Sequence, residues 1–253
     1  MTQSQTQLTT LIFVLLTIMS TSCFKISSRH NFIKTFLTQT KTSIAPSQEN
    51  IKFLGRAAEY AVLAGTRTTN AGLTTVVGSI GVSPGKEING DAIKLISGEY
   101  HAADAHSLGA QADLTTAYSH IENLQEVKNL TGTDLVGLTL SAGVYKFDVA
   151  CALSSGTLYL DARGDASATW IFQIGTTLIT EVNSTVAVIN GGSALNVYWQ
   201  VGSSATFKTD AVMVGNVIAY ESISFGTNVA LKGRALARSG AVTMLSNVIQ
   251  VNP

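Results

Sequence analysis

Short apolar runs separated by Gly, Asn and Pro dominate the chain from about residue 57 onward. The segment AAEYAVLAGTRTTNAGLTTVVGSIGVSPG (57–85) contains such runs and predicts two or three short strands. From Thr133 to the end, short alternating segments and turn residues continue in the same style. This pattern predicts a mainly β fold.

One segment breaks this style and predicts a helix. Residues 103–127 are rich in Ala, Leu, Gln and Glu and contain no Pro. Apolar side chains recur there at steps of three and four residues, at Ala110, Leu114, Tyr118, Ile121 and Leu124. That spacing places them on one face of a single long α-helix over about 103–127.

A repeated phrase organises the C-terminal part of the chain. The segments TTLITEVNS, SSATFKTDA, ESISFGTNV and GAVTMLSNV align with one another, at 176–184, 203–211, 221–229 and 240–248. Their Asn/Asp column recurs at steps of 27, 18 and 19 residues, at Asn183, Asp210, Asn228 and Asn247. A strand–turn–strand unit of this length is typical of one coil of a β-solenoid.

Each column of this alignment has a predicted direction. The apolar column points into a stacked core, with Val201, Ala205 and Phe207 as inward residues of one repeat. The Asn/Asp column turns the chain, because these residues tolerate tight-turn dihedral angles. The column of Thr206, Ser224 and Thr243 then points outward, as a row of hydroxyl groups about 4.8 Å apart.

Composition removes several classes of function. The formal net charge is zero and only 13% of residues are charged, which argues against a nucleic-acid surface. Carboxylates in the strand region are scattered without the pairing that glycosidic chemistry needs, and GSIGVSPG (78–85) lacks the residues of a phosphate loop. We therefore expect neither an enzyme nor a cofactor.

Cysteine and histidine spacing does not predict a metal site. Cys151 is expected to be a small buried side chain, and Cys23 lies in the leader. His101, His106 and His120 lie on or beside the predicted helix, where His101 and His106 do not share a helical face. No carboxylate or cysteine accompanies them at ligand spacing.

The N-terminus has the pattern of a targeting segment. An apolar stretch at 11–19 is too short to span a bilayer, and small residues follow it, so we predict a signal peptide at 1–23. Residues 24–50 are basic and hydroxyl-rich and predict a spacer or pro-segment, with a plastid-type bipartite signal as an alternative to secretion. The folded domain is then 51–253, with no membrane span in the mature form.

Seven motifs in order make the chain resemble the secreted ice-binding (antifreeze) proteins of cold-adapted microbes and microalgae. They are LGRAAEYAVLAG (54–65), GSIGVSPG (78–85), ADLTTAYSHI (112–121), GLTLSAGVYKF (137–147), WIFQIG (170–175), NVYWQVG (196–202) and LKGRALARSGAVTM (231–244). The resemblance covers about 54–253. It implies a discontinuous right-handed β-helix of about six coils and triangular section, with the helix alongside and the first coil stacked on the last.

The resemblance also implies adsorption to ice by a face without cofactor or turnover. Thr66 and Leu245 correspond in position to ice-facing residues of the family, and Thr68 is a further candidate beside the outward column of Thr206, Ser224 and Thr243. A Thr–small–x–Thr/Asn motif found in some relatives is absent, since TEVN (180–183) has Glu181 at the small position. That departure, together with Lys208 beside the outward column, favours moderate activity.

Other expectations stay open at the level of sequence. The sequons at Asn129 and Asn183 predict N-glycosylation if a eukaryote secretes the chain. We expect a monomer whose partner is the ice surface, without nucleic acid. An extracellular adhesin or matrix solenoid without ice activity is the alternative function.

Overall fold

The computed structural model describes residues 48–90, 92–125 and 127–251. The predicted signal peptide at 1–23 lies outside the described residues, as does the predicted spacer except for its last three residues. In chain order the strands are β1 (Tyr60–Ala64), β2 (Arg67–Ala71), β3 (Thr74–Val77), β4 (Ser79–Val82), β5 (Glu87–Gly90), β6 (Ile93–Ser97), β7 (Tyr100–Ala102), β8 (Val127–Asn129), β9 (Thr139–Ser141), β10 (Gly143–Phe147), β11 (Cys151–Leu153), β12 (Thr157–Asp161), β13 (Trp170–Ile174), β14 (Leu178–Thr180), β15 (Thr185–Ile189), β16 (Val197–Val201), β17 (Ala205–Phe207), β18 (Val212–Ala219), β19 (Ile223–Phe225), β20 (Ala230–Ala237), β21 (Val242–Leu245) and β22 (Val248–Gln250). The helical elements are a 3-10 helix at Gln48–Glu59, the helix α1 (Ala105–Glu122) and a short 3-10 helix at Ala194–Asn196.

Parallel strands in two sheets surround the core, which confirms the mainly β prediction. A 7-stranded sheet has the order β11-β14-β17-β19-β21-β2-β5, and a 15-stranded sheet contains the other strands. The long strand β18 pairs with β15 at Val212 and with β16 from Asn216 onward, so it joins two runs of the larger sheet. The described strands therefore form a three-sided β-helix.

Glycine permits the bend in the two long strands. Gly215 of β18 and Gly233 of β20 are register partners, with φ values of 105° and 149°. A Cβ atom added to Gly233 would lie 1.9 Å from the carbonyl oxygen of Gly215. Only a residue without a side chain allows neighbouring coils to turn from one side of the larger sheet to the next at this spacing.

The β-helix is discontinuous, as the resemblance implies. The first coil (β1, β2 and β3) lies between the last coil and the second one. Val62 of β1 pairs with Ala235 of β20, and Thr69 of β2 pairs with both Thr243 of β21 and Asn89 of β5. Each coil contributes one strand to the smaller sheet. That sheet has seven strands in the described part of the chain, so there are seven coils where about six were expected.

Helix α1 is shorter than the predicted range of 103–127. It begins after Asp104, which has extended backbone angles and accepts a hydrogen bond of 2.7 Å from the backbone N–H of Ser107. Asn123 caps the other end, and Val127–Asn129 forms β8 instead of continuing the helix. An N-cap bond and a new strand thus outweigh the helix propensity of the flanking residues.

The predicted apolar stripe of α1 packs on the larger sheet. Ala110, Leu114 and Ile121 are fully buried, in a cluster with Tyr60, Leu63, Ile171, Tyr198, Ile218 and Leu236 from the strands. With 18 residues the helix is about 27 Å long, so it covers several coils on this side. We call this run of strands the helix-side sheet.

One of the two repeated Gln residues anchors the end of α1. Gln173 of β13 and Gln200 of β16 are register partners, and both are buried. The Gln173 side-chain amide donates to the carbonyl oxygens of Ile121 and Leu124, at 2.6 and 3.1 Å. Gln173 thereby ties the C-terminal end of α1 to the sheet.

Three members of the Asn/Asp column turn the chain as predicted. Asn183, Asp210 and Asn228 have φ values of 59°, 59° and 60°, in the left-handed region. In the last coil the left-handed residue is Ser246, with φ 52°, and not Asn247. Asn247 is buried instead, and its side-chain amide donates to the carbonyl oxygen of Gly226 at 2.7 Å.

An ion pair attaches the N-terminal 3-10 helix to α1. The Arg56 guanidinium donates two hydrogen bonds to the Asp113 carboxylate, at 2.9 and 3.0 Å, and the Arg56 backbone N–H adds a third. Chiefly because of the bond from the Arg56 side chain, the pKa of Asp113 is lowered to about 2. The carboxylate form of Asp113 therefore favours the folded state.

We predict that Asp113→Asn removes a pH-dependent part of the stability. The carboxyl group titrates near 3.9 in the unfolded chain, so its contribution is complete above that pH and is lost as the pH falls through about 2. At pH 7 the thermal midpoint should fall by about 1–3 °C, since the pair is partly exposed. The difference from the unmodified protein should vanish near pH 2. A constant difference across pH 2–7, or an equal loss in Glu122→Gln on the same helix, would contradict this assignment.

Candidate functional site

The outward side of the 7-stranded sheet forms a regular surface, which we call the seven-stranded face. Its strands are three to five residues long, and their side chains alternate between the core and solvent. Every pairing in this sheet keeps an unbroken register. Two pairings of the larger sheet, in contrast, contain register shifts.

One column of outward side chains runs across all seven strands. The register places its members in a single row, which we call the central column: Ala152, Ile179, Thr206, Ser224, Thr243, Thr69 and Asn89. Neighbouring strands in a sheet lie about 4.8 Å apart, so this row has a fixed repeat. The sequence-predicted residues Thr206, Ser224 and Thr243 stand next to one another at its centre.

The structure corrects the position of Thr68. Its side chain points into the core with no exposed surface, and it pairs in register with the buried Val242. Thr69, the next residue, points outward and lies beside Thr243, with 3.3 Å between the two hydroxyl oxygens. Side chains in a strand alternate between core and solvent, so the residue at which β2 begins decides whether Thr68 or Thr69 points outward. The sequence alone did not fix that residue.

A second outward column lies two residues further along the strands. It contains Leu245, which is 37% exposed, and its register partner Ala71. At the level of β17 and β14 the same column is occupied by Lys208 and Glu181, whose side chains form an ion pair at 2.7 Å. Thr66 is exposed but precedes β2, in the bend after β1, and thus borders the face.

Packing and hydrogen bonds beneath the face hold it in place. The rings of Phe207 and Phe225 stack below the central column, with 5.1 Å between their centroids. Buried Asn70 accepts a 2.6 Å hydrogen bond from Thr74, whose hydroxyl oxygen accepts one from the backbone N–H of Asn247. These contacts fix the first coil to the last at the corner beside the face.

The central column of the face is uncharged. It carries methyl, hydroxyl and amide groups without any charged residue. Within the described residues, no group of three or more His, Cys, Asp or Glu side chains is placed to hold a metal ion. Cys151 is buried below the face, and burial raises the pKa of its thiol strongly.

His101 and His106 lie away from this face. His101 belongs to β7 rather than to the helix, and its ring stacks on that of His106 with 4.4 Å between centroids. The Nδ1 atom of His106 lies 2.6 Å from the Tyr60 hydroxyl, and that of His101 lies 2.7 Å from the Asp104 carboxylate. His101 thus lies beside the helix, as expected, and β7 brings its ring against that of His106 although the two residues do not share a helical face.

Comparison with known families matches residues 62–250 to the model of the family described as "Ice-binding-like". The chain belongs to this family. A curated "Ice-binding protein" of Nostoc sp. (strain HG1) is 39% identical, over 89% of this chain and 83% of the relative.

Solved structures of the family share the fold. An ice-binding protein from an Antarctic biological consortium has 44% sequence identity and a TM-score of 0.74, over 78% of this chain and 89% of that one. An ice-binding protein from the ascomycete Antarctomyces psychrotrophicus has 38% identity and a TM-score of 0.75, over 79% and 98% of the two chains. These matches confirm the β-helix type that the sequence motifs implied.

We predict that Thr68→Val increases stability. Among the described residues, the buried Thr68 hydroxyl oxygen has no hydrogen-bond partner, and replacing it with a methyl group removes the cost of its desolvation. The free energy of unfolding in urea should rise by about 1 kcal/mol. Thr69→Val, at the outward neighbour, is the matched control and should change it little. A loss of stability in Thr68→Val would show that the hydroxyl group is bonded.

Proposed function

We propose that this protein adsorbs to ice crystals through the seven-stranded face and thereby inhibits ice growth and recrystallisation. The central column carries the proposal, because it sets small hydroxyl and methyl groups at one repeat on a surface of unbroken register. Membership of the ice-binding-like family supports ice as the target.

The physical argument starts from the water next to this face. Methyl groups favour leaving bulk water, while hydroxyl groups hold water molecules through hydrogen bonds at the strand spacing. A water layer ordered in this way resembles the repeating array of oxygens in ice and can merge with it. Adsorbed molecules then force ice to grow as curved fronts between them, which lowers the local freezing point.

Rigidity makes this adsorption favourable. A surface that is ordered before binding loses little conformational freedom on contact. The stacked rings below Thr206 and Ser224 and the backbone ladder on both sides of Thr243 provide that order. We assign ice contact to Thr206, Ser224, Thr243, Thr69 and Leu245, with Thr66 at the border.

The proposal extends to the location and the oligomeric state of the protein. We propose secretion through the leader at 1–23, and a monomer that needs no partner other than ice. None of the helices in the described part of the chain has the length and apolar character of a membrane span. An adhesin or matrix function without ice activity is not favoured. Curated relatives at 39%, 28% and 26% identity are all named as ice-binding proteins.

We predict that Thr243→Tyr reduces thermal hysteresis strongly. The bulky ring at the middle of the central column would hold the ice lattice away from Ser224 and Thr69 on either side. Leu245→Asp should act in the same direction because a carboxylate binds water more tightly than the lattice permits. Thr66→Tyr, at the border, should have a smaller effect. Thermal hysteresis and crystal shape are measured on purified 51–253.

A matched substitution on another side controls for this test. Thr139 is exposed on β9 of the larger sheet, beside Tyr159, so Thr139→Tyr should leave both activity and the circular dichroism spectrum unchanged. Equal activity in Thr243→Tyr and the unmodified protein would move the site to another face. If the unmodified protein gives no hysteresis, no faceting and no recrystallisation inhibition, the proposed function fails.

We predict that a eukaryotic secretory host glycosylates Asn183 more fully than Asn129. Asn183 is exposed at a corner beside the face, and its side chain makes no hydrogen bond among the described residues. The Asn129 side chain donates to Asp148 at 3.0 Å and accepts from the backbone N–H of Thr131 at 2.8 Å. Intact mass of the secreted protein before and after glycosidase, with Asn183→Gln and Asn129→Gln as controls, measures the occupancy of each site. Equal occupancy would contradict the difference.

A further inference from the structure

Charged side chains interrupt the seven-stranded face at one corner. The ammonium group of Lys208 lies 2.8 and 2.7 Å from the two carboxylate oxygens of Glu181, and both side chains are more than two-fifths exposed. Both occupy the second outward column, directly after the inward residues Thr180 and Phe207. On the neighbouring coils the same column holds Gly226, Leu245 and Ala71.

A second pair of opposite charges marks the diagonally opposite corner. Arg67 of β2 and Glu87 of β5 are register partners and are both exposed. They lie two residues before Thr69 and Asn89, on the other side of the central column from Leu245. The neutral part of the face is thus enclosed between one charge pair at the β14–β17 levels and another at the β2–β5 levels.

We propose that these two charge pairs delimit the ice-contacting area and restrict it to the neutral patch between them. The patch consists of Thr206, Ser224, Thr243 and Thr69 in the central column with Gly226, Leu245 and Ala71 beside it. This inference rests on the proposed function of the same face. It identifies Glu181, Lys208, Arg67 and Glu87 as residues that limit activity, in contrast to those that provide it.

The hydration of ions is the physical reason. An ammonium or carboxylate group holds its own water shell strongly, and stripping that shell costs far more than desolvating a hydroxyl group. The ion pair between Lys208 and Glu181 lies in partly exposed positions, so both groups keep much of that water. Their side chains are also longer than Thr, and they hold a crystal surface away from Ile179, which lies two residues before Glu181 on the same strand.

Replacing Glu181 and Lys208 with neutral residues should therefore enlarge the ice-contacting area. Thr has high β propensity and the size of the existing column residues, so it suits both positions. In Glu181→Thr/Lys208→Thr, the second column would continue from Ala71 and Leu245 through Gly226 to two further hydroxyl groups. The net charge of the chain is unchanged because one positive and one negative group are removed together.

The test compares thermal hysteresis at equal molar concentration. Glu181→Thr/Lys208→Thr should give higher hysteresis than the unmodified protein, and Arg67→Thr/Glu87→Thr should do so independently from the opposite corner. Glu181→Lys/Lys208→Glu keeps both charges and should leave hysteresis unchanged. Lys146→Thr/Asp148→Asn, which neutralises the 3.0 Å ion pair on the helix-side sheet, is the matched control and should also leave it unchanged.

The outcomes separate this inference from the proposed function. If the unmodified protein is active and neither neutral double variant exceeds it while keeping its thermal midpoint, the charge pairs do not limit the patch and the inference is overturned. A rise in the Lys146/Asp148 control equal to that of the other variants would overturn it as well, since charge removal anywhere would then suffice. No hysteresis in the unmodified protein overturns the proposed function, and the inference with it.

Discussion

The parallel backbone ladder between β2 and β21 is the interaction on which the candidate site depends. It joins residues 68–71 to residues 242–245 in one register, and a hydroxyl contact between Thr69 and Thr243 continues it at the surface. Without this ladder the seven-stranded face would divide into a five-stranded part and an isolated pair. Side-chain direction, spacing and the continuity of the central column all follow from the same set of backbone hydrogen bonds.

Local repetition explains why much of the fold could be read from the sequence. The alignment of four strand–turn–strand segments predicted the outward row of Thr206, Ser224 and Thr243, and the inward Val201, Ala205 and Phe207 are all buried. The spacing of apolar residues likewise predicted α1. Such features depend on neighbours along the chain, and the pattern of one element records them directly.

Features set by distant contacts were harder to obtain. The choice between Thr68 and Thr69 depends on where β2 begins, and that depends on its pairing with β21 and β5. The left-handed position in the last coil moves from the aligned Asn247 to Ser246 because the Asn247 side chain is used to bond Gly226. The docking of the first coil against the last came from family resemblance, since no repeat in the sequence links those two segments.

The position of the first coil has a consequence for biosynthesis. A ribosome completes β2 long before β21, yet Thr69 needs a partner 174 residues further along the chain. Contacts between residues so far apart in sequence form late, because closing the long loop costs conformational entropy before the contact contributes any stabilisation. A nascent or C-terminally shortened chain therefore carries coils but not a continuous face, and the complete seven-stranded face exists only once β21 has been synthesised and has docked on β2.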